Sequence, residues 1–310
     1  MNSRNLALLA ALGATIIYGL NHTVAKVVMP YHIGAFGFIM LRVLGASILF
    51  WMVSPFFPKE QVSKKDFKRL FVAALFGMCI NMLMFFKGLE LSTPINSGII
   101  ATLTPIIILI LSALFLKERL TRLKVIGIVL GFIGAFALIF NNTPTQTPNA
   151  PNIPIGNIML LINATCFGTY LVIIKPLTQK YHTVTLMKWI FPIGIVLTFP
   201  VTIKEFLAVD WPNLPFDAIW RMGYVVLGTT FCSYFLNVFA LKTLNVTTIG
   251  AFTYLQPLLA ILYALFTGND QLDLIKISAC FIVFIGVYLV SKKTTKKIIL
   301  DKKQSKTLFP

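Results

Sequence analysis

Acidic residues are scarce: ten Asp and Glu stand against 27 Lys and Arg, a formal net charge of +17 at pH 7, and all charged side chains together make up only 12% of the 310 residues. A soluble domain carries about a quarter of its residues as charges, so this composition excludes an ordinary water-soluble fold. The few acids fall at or outside the ends of long apolar runs. The buried carboxylate that usually relays protons or sodium ions in a pump is therefore missing, which favours facilitated diffusion, exchange or weak coupling through a histidine. Cysteine is also sparse. Cys79, Cys166, Cys232 and Cys280 each lie inside an apolar run with no close pairing, so neither a disulfide framework nor a metal cluster is indicated. The sequence has no G-x-x-x-x-G-K-[ST], G-x-S-x-G or H-E-x-x-H, and no pair of intramembrane aspartates. These absences weigh against nucleotide-driven transport and against an intramembrane enzyme, and no cofactor or metal is expected. A non-transporting sensor or scaffold is the other alternative to a carrier, but the chain offers no soluble domain through which to signal.

What the sequence holds is apolar length: 57% hydrophobic residues and a mean hydropathy of +0.84. Apolar windows mark ten candidate spans, at about 5–27, 33–54, 68–88, 94–116, 121–140, 154–175, 184–203, 219–241, 247–267 and 274–291. The expected fold is thus all-α and polytopic. The apolar run from Leu6 to Val24 has one basic residue before it and no clear small-residue cleavage site, so it reads as a retained first span and not a signal peptide. Basic residues gather on one side of this arrangement, at Lys59–Arg69, Lys117–Lys124, Lys175–Lys188 and the lysine-rich tail Lys292–Lys306; the other side keeps Lys26, Lys87, Lys204, Arg221 and Lys276. The positive-inside rule then places both termini in the cytoplasm, most simply at the cell's inner membrane, with the tail against anionic lipid. Charge broken into clusters between apolar spans does not form a nucleic-acid face.

The chain also repeats itself. Gly98, Leu103, Pro105, Leu120, Lys124 and Gly134 return at a fixed spacing as Gly250, Leu255, Pro257, Leu272, Lys276 and Gly286. Residues 5–140 and 154–291 read as two five-span repeats, joined by an uncharged Pro/Thr/Asn linker at 141–153 and followed by the tail at 292–310. An odd number of spans per repeat forces the halves to face opposite ways, the inverted-repeat plan that places a binding site near the bilayer midplane.

These features resemble the EamA family of the drug/metabolite transporter superfamily. Tyr18-Gly19-Leu20-Asn21 followed by Lys26 is similar to the family's first-span opening, Arg42 to its basic second-span residue, and Gly88-Leu89 through Pro105 to Glu118-Arg119-Leu120 to its third-to-fourth-span segment. In the second half Phe167-Gly168, Lys175 and Lys188 answer Tyr18-Gly19, Lys26 and Arg42, while Asp270-Gln271-Leu272 departs from the acidic-leucine pattern. The resemblance implies ten spans in two repeats and export of amino acids, metabolites or other small solutes.

Polar residues inside spans are the candidates for a solute path, each against the alternative of a helix-packing hydrogen bond. Ser97, Ala101 and Thr104 share one helix face beside Pro105, and Ala101 and Thr104 recur as Thr253 and Gln256 beside Pro257. Each proline is expected to loosen a continuous helix by removing one hydrogen bond. Thr229, Ser233 and Asn237 form a stripe on the eighth span, and Asn21 and Asn81 need amide partners. Tyr170, Tyr234 and Tyr254 present a ring with a polar tip, and His22 is the histidine well inside a span that is able to relay protons. The binding set expected from sequence is therefore Asn21, His22, Asn81, Thr104, Tyr170, Tyr234, Asn237, Thr253, Tyr254 and Gln256, with Gln256 foremost. Arg42 and Lys188 are the fixed charges near the span interiors, and their field favours a carboxylate over a bare cation. Arg42 itself has three readings: snorkelling to the outer interface, bonding a neighbouring helix, or facing the cavity. Glu118 and Asp270 read as loop-ordering caps for the helices that follow them. The partners implied are a small-molecule solute and membrane lipid; homodimerisation stays open.

Overall fold

The computed structural model describes residues 3–116, 122–139, 150–253 and 255–291. Glu118, Tyr254, most of the linker and the lysine tail lie outside the described residues. Twelve helices carry the fold, and no strand is present among the described residues. In the first half they are α1 (Ser3–Val28), α2 (Ala35–Val53), α3 (Lys64–Leu91), α4 (Pro94–Ala101), α5 (Thr104–Leu116) and α6 (Arg122–Ile139). The second half repeats the order as α7 (Ile153–Ile174), α8 (Thr183–Leu207), α9 (Phe216–Thr243), α10 (Val246–Phe252), α11 (Leu255–Phe266) and α12 (Leu274–Ser291).

Among the described residues eight segments are long and apolar enough to cross a membrane. At the expected fifth and tenth spans the apolar stretches are shorter, Val125–Gly134 and Leu274–Gly286, so a count of ten exceeds what length and composition establish. The distribution of polarity is inside-out relative to a soluble protein. Leu114, Val129, Val196, Leu262 and Phe281 are exposed, while Asn21, His22, Arg42, Asn81, Asn157 and Gln256 are buried. Apolar side chains facing outward and amides facing inward are the arrangement that a hydrocarbon solvent selects.

Local signals in the sequence place several helix starts. Thr93 accepts a hydrogen bond from the Asn96 N–H at the start of α4, with Pro94 in the first turn, and Asn152 accepts from Ile155 N–H at the start of α7, with Pro154 nearby. Inside the prolines' spans the expectation of one loosened helix is corrected: each expected span is two short helices. Thr102 and Leu103 make i−3 backbone bonds to Ile99 and Ile100 before α5 starts, and Thr253 and Gln256 do the same to Gly250 and Thr253. Pro105 and Pro257 thus sit in the first turns of α5 and α11, where a missing N–H costs no helical bond.

The halves pack by exchange. Several contacts between the halves recur with the halves swapped: α1 with α9 and α3 with α7, α1 with α11 and α5 with α7, α4 with α11 and α5 with α10. The self-corresponding pairs α2–α8 and α6–α12 are also in contact. The repeated glycines explain the last of these. A Cβ on Gly134 would stand 2.9 Å from the Ala279 oxygen, and one on Gly286 would stand 2.6 Å from the Gly127 oxygen, so only glycine lets these two backbones approach.

The first and third helices of each half are tied by a lysine. Lys26 Nζ donates to the carbonyls of Leu89 (2.8 Å) and Glu90 (2.7 Å) at the end of α3. Lys175 Nζ, its counterpart on α7, donates to the carbonyls of Leu241 and Leu244 at the end of α9. An ammonium at a helix C-terminus satisfies carbonyls that have no intrahelical donor and meets the negative end of the dipole. Asp270 does cap a helix, but not the one that follows it. Its Oδ2 accepts from the Ile95 N–H of α4 at 3.0 Å and its Oδ1 accepts from Lys276 Nζ at 2.7 Å, which joins the halves.

Candidate functional site

Where the halves meet, a cavity of about 80 Å³ is lined by Tyr18, Asn21, His22, Arg42, Asn81, Met82, Phe85, Ala101 and Thr104 of the first half and by Asn163, Phe167, Thr229, Tyr234, Thr253 and Gln256 of the second. It sits where α4 gives way to α5 and α10 to α11, the two places where backbone regularity lapses. The sequence-expected residues Asn21, His22, Asn81, Thr104, Tyr234, Thr253 and Gln256 all line it. Tyr170 and Asn237 do not. Tyr170 packs behind Tyr234, ring centroids 6.2 Å apart, against the backbone of Gly77, and its hydroxyl is buried without a partner among the described residues. Asn237 is buried outside the lining.

Hydrogen bonds across the seam set the orientations. Thr229 Oγ1 donates to Asn21 Oδ1 at 3.0 Å, which leaves the Asn21 amide N–H groups for other partners. Asn81 Nδ2 donates to the Asn163 carbonyl at 3.2 Å, Asn163 Nδ2 returns a bond to the Asn81 carbonyl at 3.0 Å, and both residues line the cavity. His22 Nδ1 and Ser97 Oγ are 2.8 Å apart, and the imidazole meets the Phe85 ring edge-on with centroids 5.6 Å apart.

Two wider turns shape the third helix of each half. Residues Leu75–Ile80 of α3 and Tyr224–Cys232 of α9 form π-helical turns, which widen the spiral and leave carbonyls for other donors. Tyr234 Oη uses one such group, donating to the Gly77 carbonyl at 3.0 Å. Thr230 Oγ1 uses another, donating to Val225 O at 2.7 Å while it accepts from Arg42 Nε at 2.7 Å.

Arg42 is the finding that sequence left open. Of its three readings the structure joins two: the side chain donates to Thr230 of α9, yet it is 3% exposed, lines the site, and carries its guanidinium 4.5 Å above the centre of the Phe86 ring. Lys188, by contrast, does not line the cavity, and its ammonium stands 5.6 Å from the centre of the Trp51 ring. The cavity's fixed charge is therefore a single cation, and no carboxylate is in the lining. Sequence reasoning also passed over Asn163, Phe167, Phe85 and Met82, and it named Thr229 on the polar stripe without placing it in the binding set. Phe167 carried a signal, since it answers Tyr18 in the repeat, and the two rings now lie 6.3 Å apart on opposite sides of the seam. No group of three His, Cys, Asp or Glu able to hold a metal occurs among the described residues.

An inside-out helical fold of two matching halves around a polar central cavity defines a membrane transport protein. The chain belongs to the EamA-like transporter family, whose pattern matches residues 5–140 and 154–292. It is 25% identical over 236 residues to an uncharacterised transporter of Archaeoglobus fulgidus, covering 76% of this chain and 81% of the relative. It is 22% identical over 258 residues to the riboflavin transporter ImpX of Fusobacterium nucleatum, covering 78% and 84%. A crystal structure 17% identical in sequence superposes with a TM-score of 0.63 over 93% of this chain and 98% of its own, which shows a shared fold.

Proposed function

We propose that this transporter carries small polar metabolites, amino acids and related compounds among them, across the cell's inner membrane by alternating access, as an exporter or exchanger. Ten spans in two inverted repeats, 5–140 and 154–291, with both termini cytoplasmic, complete the reading. The observation that carries it is the convergence of Thr104, Thr253 and Gln256 on one cavity from the interrupted helices of both halves. Hydroxyls and amides both donate and accept, so such a lining pairs with a small polar solute of either hydrogen-bonding sense. Relatives named as transporters support solute handling by this chain. The cavity's volume, about 80 Å³, is well under the roughly 300–1,000 Å³ of small-molecule pockets, so a solute enters by parting the halves. Substrate counterflow in proteoliposomes preloaded with an unlabelled amino-acid mixture tests the reading. Saturable accumulation of unmodified labelled solute supports a carrier; chemical conversion of the solute indicates an enzyme, and neither outcome indicates a sensor or scaffold.

A further inference from the structure

We propose that Arg42 is the recognition residue of the cavity and that its ligand is a monoanionic carboxylate group of the solute; this rests on the transport reading above and names its substrate class. Arg42 is nearly fully buried and lines the cavity, and among the described residues its hydrogen-bond partner is Thr230, through Nε alone. That hydroxyl cannot turn away, because its own hydrogen is committed to the Val225 carbonyl in the π-helical turn. One face of the guanidinium is covered by Phe86. The group is thus held at one edge and one face, and its terminal N–H donors are left with no partner among the described residues. A buried cation without an acid is costly, and the cost is recovered only when a counter-charge arrives.

The planar fork of a guanidinium matches a carboxylate through two parallel N–H···O bonds. Charge sets the valence. Among the described residues the rest of the lining is neutral, so a single carboxylate pairs the single cation, whereas a phosphate dianion would bring an unmatched negative charge inside a membrane protein. Tyr18, Phe85, Phe167 and Tyr234 supply ring surface for the remainder of the solute. Amino acids and simple organic acids share this carboxylate, and the experiment separates them.

The test titrates the purified full-length chain with phenylacetate, phenylalanine, phenylacetamide and phenethylamine, reading apparent affinity from thermal stabilisation. The expected result is that at least one of the two carboxylates binds at least about tenfold more tightly than the amide and the amine. Phenylalanine alone identifies an amino-acid site, phenylacetate alone an organic-acid site. Arg42→Gln should reduce the acid-to-amide preference to within about twofold, and Arg42→Lys, which keeps the charge but not the fork, should retain part of it. Equal binding of the amide or amine, an undiminished preference in Arg42→Gln, or no stabilisation by either acid overturns the proposal. If Arg42→Gln does not fold, the wild-type acid-to-amide ratio decides alone. Binding of the acids without flux in counterflow would remove the transport reading and leave the Arg42 assignment standing. Flux of uncharged solutes unaltered in Arg42→Gln would do the reverse.

Discussion

Asn81 and Asn163 each donate a side-chain N–H to the other's backbone carbonyl, at 3.2 and 3.0 Å, and so stitch α3 to α7 beside the cavity. The reciprocity makes the pair testable as a unit. Replacing either residue by Ala leaves one bond of the two, and replacing both removes the stitch. Hydrogen bonds between helices in membrane proteins contribute about 0.6 kcal/mol on average and up to about 1.7, so each single Ala variant should lose roughly 0.5–1.5 kcal/mol of unfolding free energy and the double variant about the sum. Single variants as stable as the wild type would show that neither bond holds the helices together.

Gln256 is the second test. It lines the cavity immediately before Pro257, and it carries both an amide donor and an acceptor. Gln256→Ala should lower transport several-fold with membrane expression unchanged, since loss of a group paired with the solute costs about 1–3 kcal/mol. Unaltered uptake kinetics by a folded variant would take Gln256 out of the solute path.

A third concerns orientation. The proposed topology, with a cytoplasmic N-terminus and five spans before the 141–153 linker, requires that linker to face outward. Thr145→Cys should react with a membrane-impermeant maleimide on intact cells. Labelling confined to lysed cells would reverse the topology.

The fourth is a pH effect at His182, which lies before α8 and caps it by accepting the Val184 N–H through Nδ1 at 3.3 Å. Partial burial pushes its imidazole below the ordinary value near 6.5, outweighing the nearby Glu60 carboxylate. Protonation would also turn the accepting nitrogen into a donor. A lowered folded-state value means that the cap's contribution is present above about pH 6.5 and is lost as pH falls through the folded-state value below it. Wild-type melting temperature should therefore fall faster than that of His182→Asn, which caps without titrating, as pH drops from 7 to 5. Parallel curves would show that His182 takes no part in acid destabilisation.

Much of the fold was legible because membrane solvent imposes a simple rule on composition. Apolar length located the spans, and the spacing of Gly98 to Gly250 and Pro105 to Pro257 revealed the repeat. The site was partly legible: Thr104, Thr253 and Gln256 came from the repeat, and Asn21, His22, Asn81 and Tyr234 from being polar groups inside spans. Asn163 did not come from the repeat, because it pairs with Asn81 across the seam and not with its positional counterpart in the first half. Arg42 stayed ambiguous because its placement depends on Thr230, far away in sequence, and on a π-helical turn that no periodicity announces. Tyr170 looked like a solute contact by type, yet the missing side chain of Gly77 gives its ring a slot behind the lining.

The lysine ties have a mechanical consequence. Lys26 and Lys175 each fasten the first and third helices within one half, whereas Asn81–Asn163, Asn21–Thr229 and Tyr234–Gly77 all cross between halves. Enlarging the cavity thus leaves two stiff blocks nearly intact and concentrates strain on a thin set of crossing bonds, each worth little alone. Several helix contacts recur when the halves are swapped, so on the proposed alternating-access reading parting the blocks along one line has a partner motion along another, as in a rocker with two detents.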